Sequence, residues 1–171
     1  MKKRSYLLIA MMALFTQPLH AQTCRNDITP TTPIQDFTLH NDGTVTHNKT
    51  GLMWMRCALG QNWNGATCTG SGQAYTWQAA LQAAEGSSFA GHGDWRLPDI
   101  KALGSIVEQA CVKPAINATV FPATPLSWFW SASPYVHVAL SAWDVLFTDG
   151  DDGIHSKASD NRLVRLVRGG Q

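Results

Sequence analysis

The sequence predicts an α+β fold in which two helices pack on antiparallel sheets and disulfides join distant parts of the chain. Segments with strand-like alternation lie at both ends of the chain, and two segments with helical spacing lie between them. The Asn-Asp-Gly turn at 41–43 favours a tight hairpin, which joins antiparallel strands. The even number of cysteines, after a leader-like N-terminus, is typical of disulfide-bonded exported proteins.

Residues 1–21 have the pattern of a secretory signal peptide. Residues 2–4 are basic, residues 6–15 are largely apolar but too few to span a bilayer, and Ala21 is a small residue at the expected cleavage site. We therefore expect cleavage after Ala21 and export to the periplasm or the cell exterior.

Charge and hydropathy exclude two classes of partner. The chain has 13 Lys and Arg against 12 Asp and Glu, and the leader holds three of the basic residues, so the exported part carries 10 − 12 = −2. Because it has no basic run, we expect no nucleic-acid partner. No other apolar run is long enough to cross a bilayer, so we expect no membrane insertion.

An extended arm is predicted over residues 22–35, which are rich in proline and threonine, and a single domain is predicted over 36–171. Alternation and turn residues then predict three strands, at 37–40, 44–46 and 52–56. Polar turn residues fill 60–72. A helix over 75–85 follows, ended by Gly86, because four apolar residues share one helical face: Trp77, Ala80, Leu81 and Ala84.

A second helix is predicted to begin near Pro98 and Asp99, which suit a first helical turn. Its apolar stripe extends to Ala110 and comprises Leu103, Ile106, Val107 and Ala110. Strand patterns follow at 127–133, 143–148, 154–157 and 163–168, with a turn at 149–153. In the second of these, alternation predicts that Trp143 faces the core and that Asp144 faces away from it.

The cysteines allow three pairings. We favour Cys57–Cys68, which closes a short loop, and Cys24–Cys111, which ties the arm to the segment after the second helix. A metal site is disfavoured because the chain has no Cys-x-x-Cys spacing.

No catalytic residue is predicted, because the chain lacks Gly-x-Ser-x-Gly, His-Glu-x-x-His and Gly-Lys-Ser/Thr motifs. We therefore expect a protein that is not an enzyme and has no cofactor or metal, with an unrecognised catalytic site as an alternative. Asp149, Asp151 and Asp152 could supply oxygen ligands to Ca²⁺, although their spacing does not match a calcium loop and a solvated turn is the competing reading.

Aromatic residues are the second group of candidates for ligand binding. Exposed indoles stack on sugar rings, whereas buried ones fill a core. We expect Trp63 and Trp128 to be the exposed ones, and Trp130 and Trp143 to lie in the core.

Five sequence blocks occur in order at 42–46, 50–54, 94–98, 130–133 and 164–168. Together they resemble the Lcl C-terminal domain family over about residues 36–170. The resemblance implies a C-type-lectin-like fold, related to that of the sulfatase-modifying enzymes that generate formylglycine. Its signature residues here are Trp54, Asp94, Trp95, Arg96, Pro98, Trp130 and Arg165.

The resemblance also bears on function. The related enzymes use cysteines late in their domain, and this chain has none after Cys111. Family members are exported bacterial proteins, one of them a collagen-like adhesin associated with sulfated polysaccharides and attachment. We read Arg96 as structural, paired with a carboxylate or with carbonyls at the start of the second helix.

The sequence therefore predicts an exported bacterial binding module that recognises a glycan or an envelope or extracellular protein in adhesion. The alternative is a non-enzymatic structural or assembly component of a cell-envelope complex. The sequence does not decide the oligomeric state.

Overall fold

The computed structural model describes residues 21–170, so all of the predicted signal peptide except Ala21 lies outside the described residues. Two main antiparallel sheets form the domain, and the α+β class with two helices is confirmed. The strands are β1 Thr23–Cys24, β2 Phe37–Leu39, β3 Thr44–His47, β4 Leu52–Met55, β5 Asn62–Trp63, β6 Cys68–Thr69, β7 Cys111–Val112, β8 Trp128–Pro134, β9 Ser141–Leu146, β10 Asp152–Ser156 and β11 Val167–Arg168. The helices are α1 Trp77–Glu85 and α2 Ile100–Gly104, and a short 3-10 helix spans Ile34–Asp36.

The larger sheet has the strand order β11-β4-β3-β2, and the second sheet has the order β10-β9-β8. Two small ribbons, β1-β7 and β5-β6, complete the strand pairs, and every pair of named strands is antiparallel. The sequence missed both ribbons, because two-residue strands are too short to show alternation.

The predicted hairpin at 41–43 joins β2 to β3. Asp42 accepts hydrogen bonds from the backbone N–H and the hydroxyl of Thr44, at 2.9 and 2.7 Å, which closes the turn. Gly43 has φ +86° and lies against the Trp63 side chain, where an added Cβ would come within 2.7 Å of a ring carbon. Only glycine satisfies both conditions.

Helix α1 agrees with its prediction, apart from its first turn. The Thr76 hydroxyl caps it by accepting from the N–H of Ala79, and Ala80 and Ala84 are its buried residues. They pack in a cluster that includes Trp95 and Trp130.

Helix α2 is shorter than predicted. Asp99 is its N-cap and accepts from the N–H of Ala102, so Pro98 lies just before the helix and not in its first turn. The helix ends at Gly104, and the N–H of Glu108 bonds to the carbonyl of Ala115 instead of continuing the helical ladder. The predicted stripe is nevertheless buried, because this irregular turn also faces the core.

The predicted disulfide pairing is the one observed. Cys24–Cys111 joins directly opposed residues of β1 and β7, which fastens the arm to the domain over a sequence separation of 87. Cys57–Cys68 spans 11 residues and closes the segment that contains the β5-β6 ribbon. Within residues 21–170, no helix is long and apolar enough to span a membrane.

Candidate functional site

A buried carboxylate lies at the centre of the β10-β9-β8 sheet. Asp144 on the middle strand has no solvent exposure, and its Oδ2 accepts from Arg162 Nε at 3.0 Å. His155 Nδ1 lies 3.0 Å from Oδ1 and 2.7 Å from Oδ2 of the same carboxylate. One polar network therefore joins Asp144 of β9, His155 of β10 and Arg162 of the segment after β10.

An indole covers the sheet beside this network. Gly153 is opposite Asp144 in the strand register, and a Cβ added to Gly153 would lie 2.6 Å from Trp128 Cζ3 and 2.8 Å from Asp144 Oδ1. The glycine therefore lets the Trp128 ring lie close over β10. The His155 ring meets the indole edge-on, with centroids 4.8 Å apart.

We call these five residues the Trp128 platform: Trp128, Asp144, Gly153, His155 and Arg162. Its floor is closed to solvent, and its upper groups are not. The indole is partly exposed, and 29% of the His155 side chain and 15% of the Arg162 side chain are accessible. A ligand can therefore reach an aromatic ring, an imidazole and a guanidinium, but not the carboxylate that holds the latter two.

Burial dominates the electrostatics of the platform. It raises the pKa of the Asp144 carboxyl, and the hydrogen bonds and charges of His155 and Arg162 oppose that rise. Because His155 Nδ1 is bound to the carboxylate, Nε2 is the ring nitrogen left to face a ligand. Arg162 is fixed further by donating from Nη1 to the carbonyl of Asn161 at 3.1 Å.

Two more tryptophans connect helix α1 and the residues before it to β8, the strand that carries Trp128. Trp130 is fully buried, and its Nε1 donates to the carbonyl of Tyr75 at 2.8 Å. Trp77 Nε1 donates to the carbonyl of Ser131 at 2.8 Å. These bonds tie α1 to β8, and they satisfy the indole N–H groups of both rings.

The sequence missed Asp144, His155 and Arg162 as a site. Its alternation placed Trp143 in the core and Asp144 on the other face, and this prediction is wrong: Trp143 is partly exposed, whereas Asp144 is fully buried. The available signal was a lone acid between apolar residues of a strand, since an acid in such a place needs partners. The sequence did not indicate which residues those partners are.

The acidic residues of the predicted turn are exposed and do not form a cluster. Asp149 and Asp151 lie in the loop, whereas Asp152 is the first residue of β10 and not part of the turn. The N–H of Asp151 contacts Asp149 Oδ1 at 3.4 Å, which is a local turn contact. In the part of the chain that the structure describes, no group of three or more His, Cys, Asp or Glu side chains is arranged to hold a metal ion.

Trp63, the second predicted ligand-binding tryptophan, makes structural contacts in the loop region after β4. The Arg56 guanidinium sits 4.2 Å from its ring centroid, and Trp63 Nε1 donates to the carbonyl of Asn41 at 3.2 Å. Arg56 in turn donates to the carbonyls of Val120 and Thr119, at 2.8 and 3.0 Å. The ring is partly exposed, but its contacts make it a brace between the β2-β3 turn and a loop.

The signature segment 94–98 lies beside the C-terminal strand β11 and is held there by hydrogen bonds. Trp95 is buried and donates to the carbonyl of Phe89, and Asp94 accepts from Arg168 Nε at 2.7 Å. Arg96 donates to the carbonyl of Gly169 at 3.2 Å, so its predicted partner at the start of the second helix is wrong. The reason is a backbone bridge between Arg96 and Val167, which lays this segment beside β11.

Arg165 is a fully buried guanidinium whose hydrogen-bond partners are uncharged groups. It donates to the carbonyls of Met55 and Arg56 and to the Thr124 hydroxyl, and it lies 4.8 Å from the Phe121 ring centroid. Burial lowers its pKa to about 9, so it remains charged at neutral pH. Trp54 is also fully buried, in the core between the sheets.

The platform thus brings a preformed aromatic and polar surface to solvent. Among known proteins, a family model described as the Lcl C-terminal domain matches residues 43–168. No curated protein matches the chain. The match begins within the β2-β3 turn and ends at β11, so it includes β11, β4 and β3 of the larger sheet, the whole second sheet, both helices and all five platform residues. The chain belongs to the Lcl C-terminal domain family.

Proposed function

We propose that this protein is an exported, non-enzymatic binding module and that the Trp128 platform recognises a sugar. The observation that carries the proposal is the partly exposed indole of Trp128, held over Gly153 beside His155 and Arg162. An indole face supplies apolar contact to the C–H groups of a sugar ring, and neighbouring polar groups fix the orientation of its hydroxyls.

Rigidity is the second support for the proposal. The imidazole and the guanidinium are both fixed by Asp144, at distances of 2.7 and 3.0 Å from its Oδ2. Groups that are already ordered lose little conformational entropy when a ligand binds, which favours affinity for a small ligand. A hydrophobic core would not need a buried charge at this position, since burying an acid costs free energy.

Disulfides support the exported location. The described part of the chain has no free cysteine. One disulfide joins residues 87 positions apart, and the other joins residues 11 positions apart. Disulfides of this kind persist in oxidising compartments. The leader pattern in residues 1–21 agrees with this location.

The proposal is tested with the chain purified after export from cells, screened on a glycan array and then titrated with the best sugar by calorimetry. Trp128→Ala is expected to weaken binding about tenfold or more, because an aromatic anchor is lost. Trp143→Ala is the matched control: it removes a partly exposed indole from the adjacent strand of the same sheet and is expected to bind normally.

The two variants make the result decisive. Equal weakening by both substitutions would place the effect in the fold of the sheet and not in the platform. Absence of any glycan ligand, together with capture of an envelope protein that is lost in Trp128→Ala, would replace the sugar with a protein partner. Turnover of a bound glycan would instead identify an enzyme.

A further inference from the structure

The connection between β8 and β9 exposes an unusual amount of aliphatic surface. Val136 is 86% exposed, Leu140 is 77% exposed and Val138 is 48% exposed. We call residues 135–140 the hairpin tip. The segment contains no Asp, Glu, Lys or Arg, so these side chains have no charged neighbour within the tip.

The hairpin tip is an ordered structure. The N–H of Tyr135 bonds to the carbonyl of Ser141, and the N–H of Ser141 bonds to the carbonyl of Val138, both at 2.9 Å. Lys157 adds two bonds, from its N–H to the carbonyl of Leu140 at 2.8 Å and from Nζ to the carbonyl of Ala139 at 2.7 Å. The aliphatic side chains are therefore held out on a fixed backbone.

Aromatic residues and one cation lie at the base of the tip. Tyr135 packs edge-on against Trp143, with ring centroids 5.4 Å apart, and both are partly exposed. The Lys157 amine contacts the carbonyl of Ala139 in the tip and also lies over the Trp77 ring, 4.5 Å from its centroid. Exposed aliphatic side chains beside Tyr, Trp and Lys are the combination of groups that is found at a bilayer interface.

The size of the tip favours lipid over protein as its occupant. A stable protein interface uses about 20 to 30 residues from each partner and close shape complementarity. The hairpin tip offers only residues 135–140, which connect the end of β8 to the start of β9. A lipid surface requires no complementary shape, and it can take up a few aliphatic side chains while the rest of the domain stays in water.

We propose that the hairpin tip docks this protein on a lipid surface by inserting Val136, Val138 and Leu140 into the interface. This contact is peripheral, and it departs from the expectation of no membrane insertion, which considered only the length of apolar runs. Trp128 begins β8 and Pro134 ends it, so at about 3.3 Å per residue they lie roughly 20 Å apart. Docking through the tip therefore leaves the Trp128 indole open to a ligand.

The test uses the chain purified after export and vesicles of phosphatidylethanolamine with phosphatidylglycerol, in a co-sedimentation assay. The double variant Val136→Ser/Leu140→Ser is expected to lower the partition coefficient about tenfold or more, because each buried methylene contributes to partitioning. Its matched control is Val112→Ser/Leu126→Ser, which changes two aliphatic residues that are each 39% exposed elsewhere on the domain. The control is expected to partition like the wild type.

Trp128→Ala separates this inference from the glycan proposal, since it is expected to leave vesicle binding unchanged. Failure of the wild type to bind vesicles, or equal binding by the tip variant, would overturn the inference. Sedimentation velocity is run in parallel. A wild-type dimer that the tip variant converts to a monomer, without vesicle binding, would also overturn it and assign the tip to a second copy of the chain.

Discussion

Two buried carboxylates, Glu108 and Asp144, are held in opposite ways. Glu108 accepts from the backbone N–H groups of Thr31, Thr32 and Ala110 at 2.8 to 3.0 Å, and from the Thr32 hydroxyl at 3.0 Å. Asp144 is held by the side chains of His155 and Arg162. Burial raises the pKa of both groups, but the donors around Glu108 outweigh burial and lower its pKa, whereas the pKa of Asp144 stays raised.

The difference separates a structural acid from one that organises a site. Backbone donors are fixed by the chain, so Glu108 fastens the N-terminal arm. The N–H groups that donate to Glu108 are already used and cannot also bind a ligand. The partners of Asp144 are side chains whose far sides reach solvent. A carboxylate that fixes exposed side chains is therefore a better indicator of function than one that fixes backbone.

The largest effect is expected for Asp144→Ala. This substitution removes the shared partner of Arg162 and His155 and leaves a cavity where the carboxylate lay. Breaking a buried pair of this kind costs about 3 kcal/mol of unfolding free energy. Urea denaturation measures that loss. Glycan binding by the folded fraction is expected to fall with it, and a variant of normal stability and affinity would contradict the role given to Asp144.

Glu108→Gln is expected to cost less, about 2 kcal/mol, because the amide can still accept one of the arm's hydrogen bonds. The disulfide Cys24–Cys111 keeps the arm tethered, so the loss is local and increases proteolysis within residues 25–33. Limited proteolysis with mass mapping follows this effect. Glycan affinity is expected to be unchanged, and weaker binding would erase the distinction between the two acids.

Gly153→Ala is expected to cost about 1 to 2 kcal/mol, since the new methyl group would overlap the Trp128 ring and force it to move. Its effect on binding is expected to exceed its effect on stability, because the displaced indole is the proposed contact with the sugar. Calorimetric titration beside a thermal melt compares the two. Gly93→Ala is the control, because Gly93 has no positive φ and nothing lies within 4 Å of its added Cβ.

Local sequence signals predicted much of the fold. The structure contains the Asn-Asp-Gly turn and the α1 stripe, which are set by residues close together in the sequence. It also contains both predicted disulfides, which the leader and the even cysteine count indicated. The end of α2 was wrong because a tertiary hydrogen bond from Glu108 to Ala115 ends the helical ladder, although the apolar stripe continues.

The candidate site was harder to predict, because its partners meet only across the sheet. Trp128 was identified from its aromatic cluster, but no local pattern singled out His155 or Arg162. Strand alternation assigned Asp144 to the wrong face because it cannot detect a charge whose burial is supported by partners outside its own strand. These contacts form only when β10 pairs with β9 and Arg162 reaches the same carboxylate, and the alternation within one strand indicates neither.

The smallest effect concerns the pH dependence of stability, which has opposite signs for the two acids. The lowered pKa of Glu108 means that its stabilisation is complete above its unfolded pKa of about 4.3 and is lost as the pH falls through the folded value. The raised pKa of Asp144 means that the folded protein binds a proton before the unfolded chain does. The cost of burying this charge is therefore relieved as the pH falls. Urea denaturation from pH 7 down to about pH 3, below the unfolded pKa of a glutamate, is expected to narrow the stability gap between wild type and Glu108→Gln, and to widen the gap between wild type and Asp144→Ala. Two gaps that move in the same direction would show that the acids are held alike.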